Sequence, residues 1–225
     1  MGEGNKYIAG YLKDTYKRLY SYFGPQHWWP ADSPFEVIIG AILTQNTAWS
    51  NVEKAIVCLK KKRLLSPEKL YNTKLKTLSG VIRPCGYYNL KAARIRSFLE
   101  VLFADFKGSL PLMFSLRPVQ LRERLLEIKG IGPETADSIL LYAAEKPKFV
   151  IDAYTRRFLF RHKLIKRKSS YGQIQNLFEE NLRPRLKMFN EYHALIVRLA
   201  KEFCRSRPLC KSCPLRENGN IAKGV

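Results

Sequence analysis

Residues 125–152, LLEIKGIGPETADSILLYAAEKPKFVID, decide the fold of this chain. An apolar, helix-like stretch runs into Gly130-Ile131-Gly132-Pro133, and a second helix-like stretch follows. Two glycines one residue apart permit a tight backbone turn. They also let main-chain N–H groups approach an anion where the second helix begins, at the positive end of its dipole. Asp152 then opens a third helix-like run. The stretch therefore predicts two helices joined by a phosphate-binding hairpin, with an acidic residue shortly afterwards.

The 225-residue chain carries a large excess of positive charge. It has 40 Lys and Arg against 19 Asp and Glu, a formal net charge of +21. The basic residues fall in bands, at Lys60–Arg63, Arg156–Lys168 and Arg183–Arg216. Because phosphate neutralisation supplies most nonspecific nucleic-acid affinity, nucleic acid ranks first as a partner. A ribosome-associated or membrane-surface protein has a similar charge, so charge alone does not separate these classes.

Composition also bounds the fold and the compartment. A hydrophobic content of 46% and an aromatic content of 12% exclude a disordered tail protein. The N-terminal stretch has no apolar core of a signal peptide, and the longest apolar run, Val37 to Leu43, is too short to span a membrane. Five cysteines do not form a paired disulfide framework. We therefore expect a cytoplasmic monomer with no membrane contact.

Apolar residues recur at helical spacing through most of the chain. The pattern begins at Ile8–Phe23 and returns in 35–45, 52–65, 90–105, 119–128, 134–144, 153–165, 173–182 and 189–203. Pro and Gly residues fall between these segments and act as breakers. No stretch alternates with the period of a strand. The sequence predicts an all-α fold of about ten helices with no internal repeat.

The hairpin and Asp152, about twenty residues apart, resemble the helix–hairpin–helix and catalytic-Asp signature of the endonuclease III superfamily of DNA base-excision enzymes. The stretches WWPADSPFEVIIGAILTQNTAWSNVEKAI and IRPCGYYNLKAARI resemble the endonuclease III-type 3-methyladenine DNA glycosylases in particular. The resemblance covers about residues 25–215. It implies a six-helix barrel over 35–145 that ends in the hairpin. It also implies a second helical domain, made of 1–34 and 146–225, with the DNA in a cleft between the two.

Asp152 is the candidate catalytic residue. A glycosylase breaks the C1′–N bond through an oxocarbenium-like transition state. A carboxylate can stabilise the positive charge of this state, or it can activate the water that attacks C1′. Taken alone, an Asp before AYTRRF is more often a helix N-cap, and the two roles can coexist. In relatives that also cut the strand, a lysine stands two residues after the second hairpin glycine. Glu134 stands there instead, so we expect a monofunctional enzyme without AP-lyase activity.

The resemblance assigns a base pocket to Trp28, Trp29, Pro30 and Trp49. Aromatic faces suit N-alkylated purines, which carry a positive charge that the ring quadrupole attracts. They also replace the stacking that an extruded base loses. Tryptophans beside a proline are often plain core residues, and packing is the competing interpretation.

The remaining DNA-contacting candidates lie in two loops and the hairpin. Gln45 or Asn46 is expected to fill the gap left by the extruded base, although a polar cap cluster would look the same. Tyr87 and Tyr88 are expected to act as wedges in a strand-contacting loop that includes Lys91. Phosphate contacts are expected at the hairpin, from Lys129, Gly130, Gly132 and Thr135.

Cys204, Cys210 and Cys213 form C-x5-C-x2-C in a short basic loop. Such thiols are candidate ligands of an iron–sulfur cluster or of zinc. The loop resembles the cluster loop of endonuclease III, but the first spacing is five instead of six and the fourth cysteine is missing. A degenerate loop that holds its fold by packing is the alternative.

Together these features predict a monofunctional glycosylase that removes alkylated purines such as 3-methyladenine from double-stranded DNA containing a damaged base. Two alternatives remain at this stage. One is an endonuclease III-like enzyme for other damaged bases, and the other is a noncatalytic helix–hairpin–helix DNA-binding protein.

Overall fold

The computed structural model describes residues 3–216, and these residues form helices and loops without a β-strand. The α-helices, in chain order, are α1 Glu3–Phe23, α2 Pro34–Leu43, α3 Trp49–Lys61, α4 Pro67–Asn72, α5 Leu75–Val81, α6 Tyr88–Phe106, α7 Leu110–Phe114, α8 Pro118–Glu127, α9 Pro133–Ser138, α10 Ala153–Arg161, α11 Tyr171–Glu179 and α12 Leu186–Glu202. Short 3-10 turns lie at Arg83–Cys85 and Cys210–Ser212, and a π-helical turn at Ile139–Ala143 continues α9. The all-α prediction is confirmed.

The three short helices α4, α5 and α7 were not predicted, because they are too short to show a helical period. Two of them begin at residues that the sequence pattern treats as breakers. The hydroxyl of Ser66 accepts a hydrogen bond from the Lys69 amide, and that of Ser109 accepts one from the Leu112 amide. Each serine is followed within two residues by a proline in the first turn. These Ser/Pro pairs therefore start helices as well as ending the preceding segments.

The chain divides into two compact units. The first, here called the terminal unit, consists of the described residues up to Trp28 together with those from Pro147 onward. The second, here called the central unit, consists of Trp29–Lys146.

The central unit packs around α2, whose sequence PFEVIIGAIL is buried along almost its whole length. Ser33 caps this helix by accepting from the Glu36 amide at 3.2 Å, and Pro34 occupies its first turn. The Lys60 ammonium joins it to α3 through ion pairs of 2.7 Å to Glu36 and 2.8 Å to Asp32. Burial, the N-terminal cap and the ion pairs to Lys60 therefore hold α2 in place, and with it the residues that flank the helix.

The terminal unit packs α12 against α1 and α10. Buried aromatic rings form its centre, with Phe149 stacked on Phe178 and the Tyr192 hydroxyl donating to the Leu12 carbonyl. Phe149 of this centre lies three residues before Asp152, the N-cap of α10. Among the described residues, no helix has the length and apolar character that crossing a membrane requires.

Candidate active site

The hairpin between α8 and α9 is exposed at both of its glycines. Gly130 has a φ of +92°, a conformation that residues with a side chain rarely adopt. Gly132 has ordinary extended angles and precedes Pro133 at the start of α9. No atom outside its chain neighbours lies within 4 Å of the position where a Cβ would stand on Gly132. Lys129 is exposed beside the turn, so the main chain here is open to an external anion.

Gln45 ties the hairpin to the end of α2. Its side-chain amide donates to the Gly130 carbonyl at 3.0 Å and to the Thr135 hydroxyl at 2.9 Å. Its oxygen accepts from the Arg94 guanidinium, and the Arg94 stem lies directly against Gly130. Thr135 itself is only 6% exposed. The structure thus engages Gln45 and Thr135 in holding the hairpin.

Asn46, the next residue after Gln45, has a different environment. Its side chain is exposed, and its φ of +52° lies in the left-handed region. Asn tolerates this region better than most residues. The loop therefore presents Asn46 outward while Gln45 points to the hairpin.

Asp152 uses both carboxylate oxygens. Oδ1 accepts from the Thr155 amide at 2.6 Å and caps α10, so the N-cap interpretation is observed. Oδ2 lies 3.5 Å from Nε2 of the buried His193 on α12. Burial alone would raise the pKa of Asp152, but His193 and the Thr155 amide outweigh it and leave the pKa below its usual value. The carboxyl group is therefore ionised at neutral pH.

Trp29, Trp49 and Tyr142 form an aromatic cluster in the central unit. The rings of Trp29 and Trp49 meet edge to face at 5.1 Å between centroids, and Tyr142 lies 5.4 Å from Trp29. The indole of Trp29 covers Gly40 of α2, where an added Cβ would approach it to 3.1 Å. Both tryptophans are only partly buried. The cluster therefore packs against the core of the central unit and is also partly exposed.

A carboxylate lies beside this cluster. Nε1 of Trp49 donates to Oε1 of Glu53, one turn further along α3, at 2.7 Å. Glu53 is exposed. The hydrogen bond orients the indole and adds a negative charge at the edge of the aromatic surface. Of the other predicted pocket residues, Pro30 is exposed, and Trp28 is partly buried in the terminal unit.

The two tyrosines at the start of α6 differ in exposure. Tyr87 is 71% exposed, and its φ of +47° is strained for a residue with a large side chain. Tyr88 is partly buried, with the Arg83 guanidinium 5.9 Å from its ring centroid. The prediction that Lys91 contacts a strand was wrong, because Lys91 is 1% exposed and its ammonium donates to the Cys85 carbonyl at 2.8 Å. Burial lowers the pKa of Lys91.

Cys204, Cys210 and Cys213 line one small cavity of about 130 Å³ in the terminal unit. Within residues 3–216, no three His, Cys, Asp or Glu side chains come together as metal ligands. Burial raises the pKa of the Cys213 thiol. The sequence supplies no cysteine after Cys213. The donor set does not fit the four thiolates of an iron–sulfur cluster.

Arginines hold this loop in place. Nε of Arg157 donates to the Cys204 carbonyl at 2.7 Å. Arg161 donates to the Cys204 thiol at 3.3 Å and to the Ser206 carbonyl at 3.0 Å. The charged side chains of α10 therefore satisfy the backbone carbonyls of the cysteine loop.

Three residues that contact a predicted site residue escaped the sequence analysis. His193 is 41 positions from Asp152, and no local pattern links the two. Glu53 follows Trp49 at the i+4 spacing of neighbours on a helix, a signal that was present in the sequence. Tyr142 reaches Trp29 from the π-helical turn, whose register an ordinary helical period does not describe.

Comparisons with known proteins identify the family of this chain. Residues 39–184 match the family model of the HhH-GPD superfamily base excision DNA repair proteins. Over 203 residues, 90% of this chain, the sequence is 46% identical to a candidate DNA repair glycosylase of Methanocaldococcus jannaschii, of which 92% is covered.

Solved structures show the same fold. A 3-methyladenine DNA glycosylase of H. pylori bound to 1,N6-ethenoadenine superposes with a TM-score of 0.73 at 29% identity, covering 88% of this chain and 97% of that one. An endonuclease III trapped in a covalent complex with DNA gives a TM-score of 0.80 at 20% identity, covering 93% and 94%. The chain belongs to the HhH-GPD superfamily of base-excision DNA repair proteins and is a DNA glycosylase of that superfamily.

Proposed function

We propose that this glycosylase removes N-alkylated purines, of which 3-methyladenine is the model, by water attack and without cutting the strand. The observation that carries the proposal is the Trp29–Trp49 cluster with the Glu53 carboxylate bonded to Trp49. An alkylated purine carries a positive charge, and an aromatic surface edged by a carboxylate favours a cation. The likeness to the H. pylori enzyme for 3-methyladenine supports the same substrate class.

Asp152 is assigned the catalytic role at the deoxyribose of the damaged nucleotide. As the glycosidic bond lengthens, positive charge develops at C1′, and the ionised carboxylate stabilises it and orients the attacking water. A cationic base leaves as a neutral molecule, so it needs little help from a general acid. His193 is assigned a positioning role, because its contact with Oδ2 keeps the carboxylate ionised despite burial.

Strand cutting is not expected, because Glu134 stands where a Schiff-base lysine would be needed. Glu134 is exposed in the first turn of α9, where the helix dipole favours an acidic residue. Its presence is thus explained without a catalytic role.

The remaining assignments follow from exposure. We assign gap filling to Asn46 and a wedge role to Tyr87, since both are exposed on loops. Lys129, Gly130 and Gly132 are assigned to phosphate contact, with Gln45 and Thr135 as residues that position the hairpin. We further propose that 35–145 acts as the six-helix barrel domain of the family, with 1–34 and 146–225 as the second domain.

The deciding experiment is chromatographic identification of the bases released from methylated duplex DNA. The parent protein should release 3-methyladenine. Asp152→Asn keeps the size and capping ability of the side chain but removes its charge. It should fold normally and lose at least about a hundredfold in rate, the scale of one transition-state electrostatic contact. Full activity of a folded Asp152→Asn protein would remove Asp152 from the mechanism.

The same reactions, quenched with borohydride, test strand cutting. No covalent enzyme–DNA adduct should form above the level given by a protein without a glycosylase site. Efficient trapping would show that an amine attacks C1′, with Lys129 the first residue to replace.

A further inference from the structure

The segment between α10 and α11 carries a concentration of positive charge outside the site described above. From Ala153 to Phe178 the chain has seven Lys and Arg and no Asp or Glu. Three of the seven donate hydrogen bonds to backbone carbonyls of the terminal unit. Arg156 donates to the Ser169 carbonyl at 2.6 Å, and Arg157 and Arg161 hold the cysteine loop. These arginines explain part of the charge as structure.

The other four basic residues, Lys163, Lys166, Arg167 and Lys168, are exposed. None of them forms an ion pair with an acidic side chain in the part of the chain that the structure describes. Three of them line an open groove of about 580 Å³, which also contains the polar side chains of Ser169 and Gln173. No acidic residue lines this groove, here called the basic groove.

The basic groove is held in one shape by local hydrogen bonds. The Lys166 amide donates to the Ser169 hydroxyl at 3.1 Å, and the Ser169 amide donates to the Lys166 carbonyl at 3.0 Å. Ser170 and Gln173 form a reciprocal capping box at the start of α11. Unpaired like charges repel one another, so a fold that fixes several of them in one place costs stability. A polyanionic ligand would offset that cost.

We propose that the basic groove binds the sugar–phosphate backbone of duplex DNA, as a second phosphate-contacting surface in addition to the hairpin. Its lysines supply point charges, and Ser169 and Gln173 supply hydrogen-bond donors to phosphate oxygens. These groups read no base sequence. Backbone contacts suit an enzyme that must bind DNA of any sequence before it meets a lesion. The inference rests on the DNA-binding role of the family and is independent of which base is removed.

The test compares two variants with the same change in net charge. In the groove variant, Lys163, Lys166 and Lys168 are replaced by Gln. In the control variant, the exposed lysines of the central unit, Lys69, Lys74 and Lys76, are replaced by Gln. Affinity for an undamaged duplex is measured over a range of salt concentrations. If three phosphate contacts are lost, the slope of log K against log salt should become shallower by about 2.7, whereas the control should keep the parent slope.

The proposal would be overturned if the two variants had equal slopes, or if the groove variant kept the slope of the parent. The charges of the groove would then be assigned to another partner, such as an acidic protein segment. A measurement on the parent protein gives an independent check. Duplex DNA should protect Lys163, Lys166 and Lys168 from acetylation more than Lys69, Lys74 and Lys76. Base release by the parent protein is recorded separately, so failure of the substrate proposal would not be mistaken for failure of this one.

Discussion

At the scale of single residues, Asp152 combines an observed structural role with the catalytic role that we propose for it. One oxygen caps α10 while the other faces His193. The sequence predicted the cap, since an Asp before a helix is a common N-cap, and the structure confirms it; the catalytic role stays a prediction. His193 could not be predicted, because its contact with Asp152 depends on how α12 packs against α10.

His193→Gln should shift the acid limb of the pH–rate profile. Without the imidazole, burial dominates, and the pKa of Asp152 should rise from its lowered value. In the parent, activity should persist down to the ordinary carboxyl range, because the depressed pKa keeps Asp152 ionised. The stability contributed by this group is present above its unfolded pKa and is lost as pH falls through the folded value. Single-turnover base release across pH measures the shift, and coincident acid limbs in the two proteins would argue against a positioning role.

Trp49→Leu separates recognition from packing. If the indole binds a cationic base, the variant should lose about 0.5–2 kcal/mol more for charged alkylpurines than for neutral lesions, the size of a cation–π interaction. Its thermal stability should stay close to that of the parent, because Trp49 is only partly buried. Trp29→Leu is the matched comparison, since Trp29 covers Gly40 and should affect stability more. A uniform loss over all substrates together with a lower Tm would identify Trp49 as a packing residue.

At the scale of elements, long helices were predictable and their details were not. Helices such as α3, α6 and α12 have enough turns for the helical spacing of their apolar residues to be recognised in the sequence. The π-helical turn at Ile139–Ala143 was read as ordinary helix, because a local change of hydrogen bonding leaves the residue types unchanged. Lys91 was misplaced for a related reason. A lysine in a polar loop is usually exposed, and only the packing of α6 reveals that its ammonium satisfies a buried carbonyl.

The hairpin glycines should respond differently to alanine. At Gly130 a Cβ would lie 2.4 Å from the Arg94 stem at a φ of +92°, so Gly130→Ala should destabilise the fold by about 1–3 kcal/mol. At Gly132 the space is open and the backbone is ordinary, so the fold should tolerate alanine. If the backbone there meets a phosphate, Gly132→Ala should weaken duplex binding by about tenfold, the loss of roughly 1.5 kcal/mol. Denaturant unfolding and DNA titration of both variants test this, and unimpaired binding by Gly132→Ala would exclude close phosphate approach at that residue.

At the scale of the whole molecule, the net charge of +21 ranked nucleic acid first among possible partners, and the hairpin motif was needed to separate it from other partners of basic proteins. The family and the all-α fold followed from the hairpin, Asp152 and the helical period. The sequence named the candidate tryptophans of a base pocket, but their surroundings could not be predicted, because these depend on how Gly40, Tyr142 and Glu53 pack beside them.

The structure also predicts sensitivity of the folded state to mild acid. Burial lowers the pKa of His162 from 6.5 to about 4, and its Nδ1 lies 2.5 Å from the Tyr11 hydroxyl. The unfolded chain binds a proton at a higher pH than the folded chain, so stability falls as pH drops from 6.5 toward 4. The slope from this residue should approach about 1.4 kcal/mol per pH unit. Urea unfolding at about pH 7 and about pH 5 should show a smaller difference for His162→Gln than for the parent, and an equal difference would assign the acid sensitivity to other groups.

The hydrogen bond from Gln45 to the hairpin creates a short structural path between the hairpin and the aromatic cluster of the central unit. Trp29 packs on Gly40 of α2, and Gln45, two residues beyond the end of that helix at Leu43, donates to the Gly130 carbonyl. At 1.5 Å of rise per residue, the helical part of this path, from Gly40 to Leu43, is only about 4.5 Å long, and the turn at Thr44 completes it. If the hairpin binds a phosphate and the aromatic cluster receives the base, as proposed above, this short path restricts how far the distance between the two can vary. We therefore expect the enzyme to select among extruded bases by their distance from the bound phosphate.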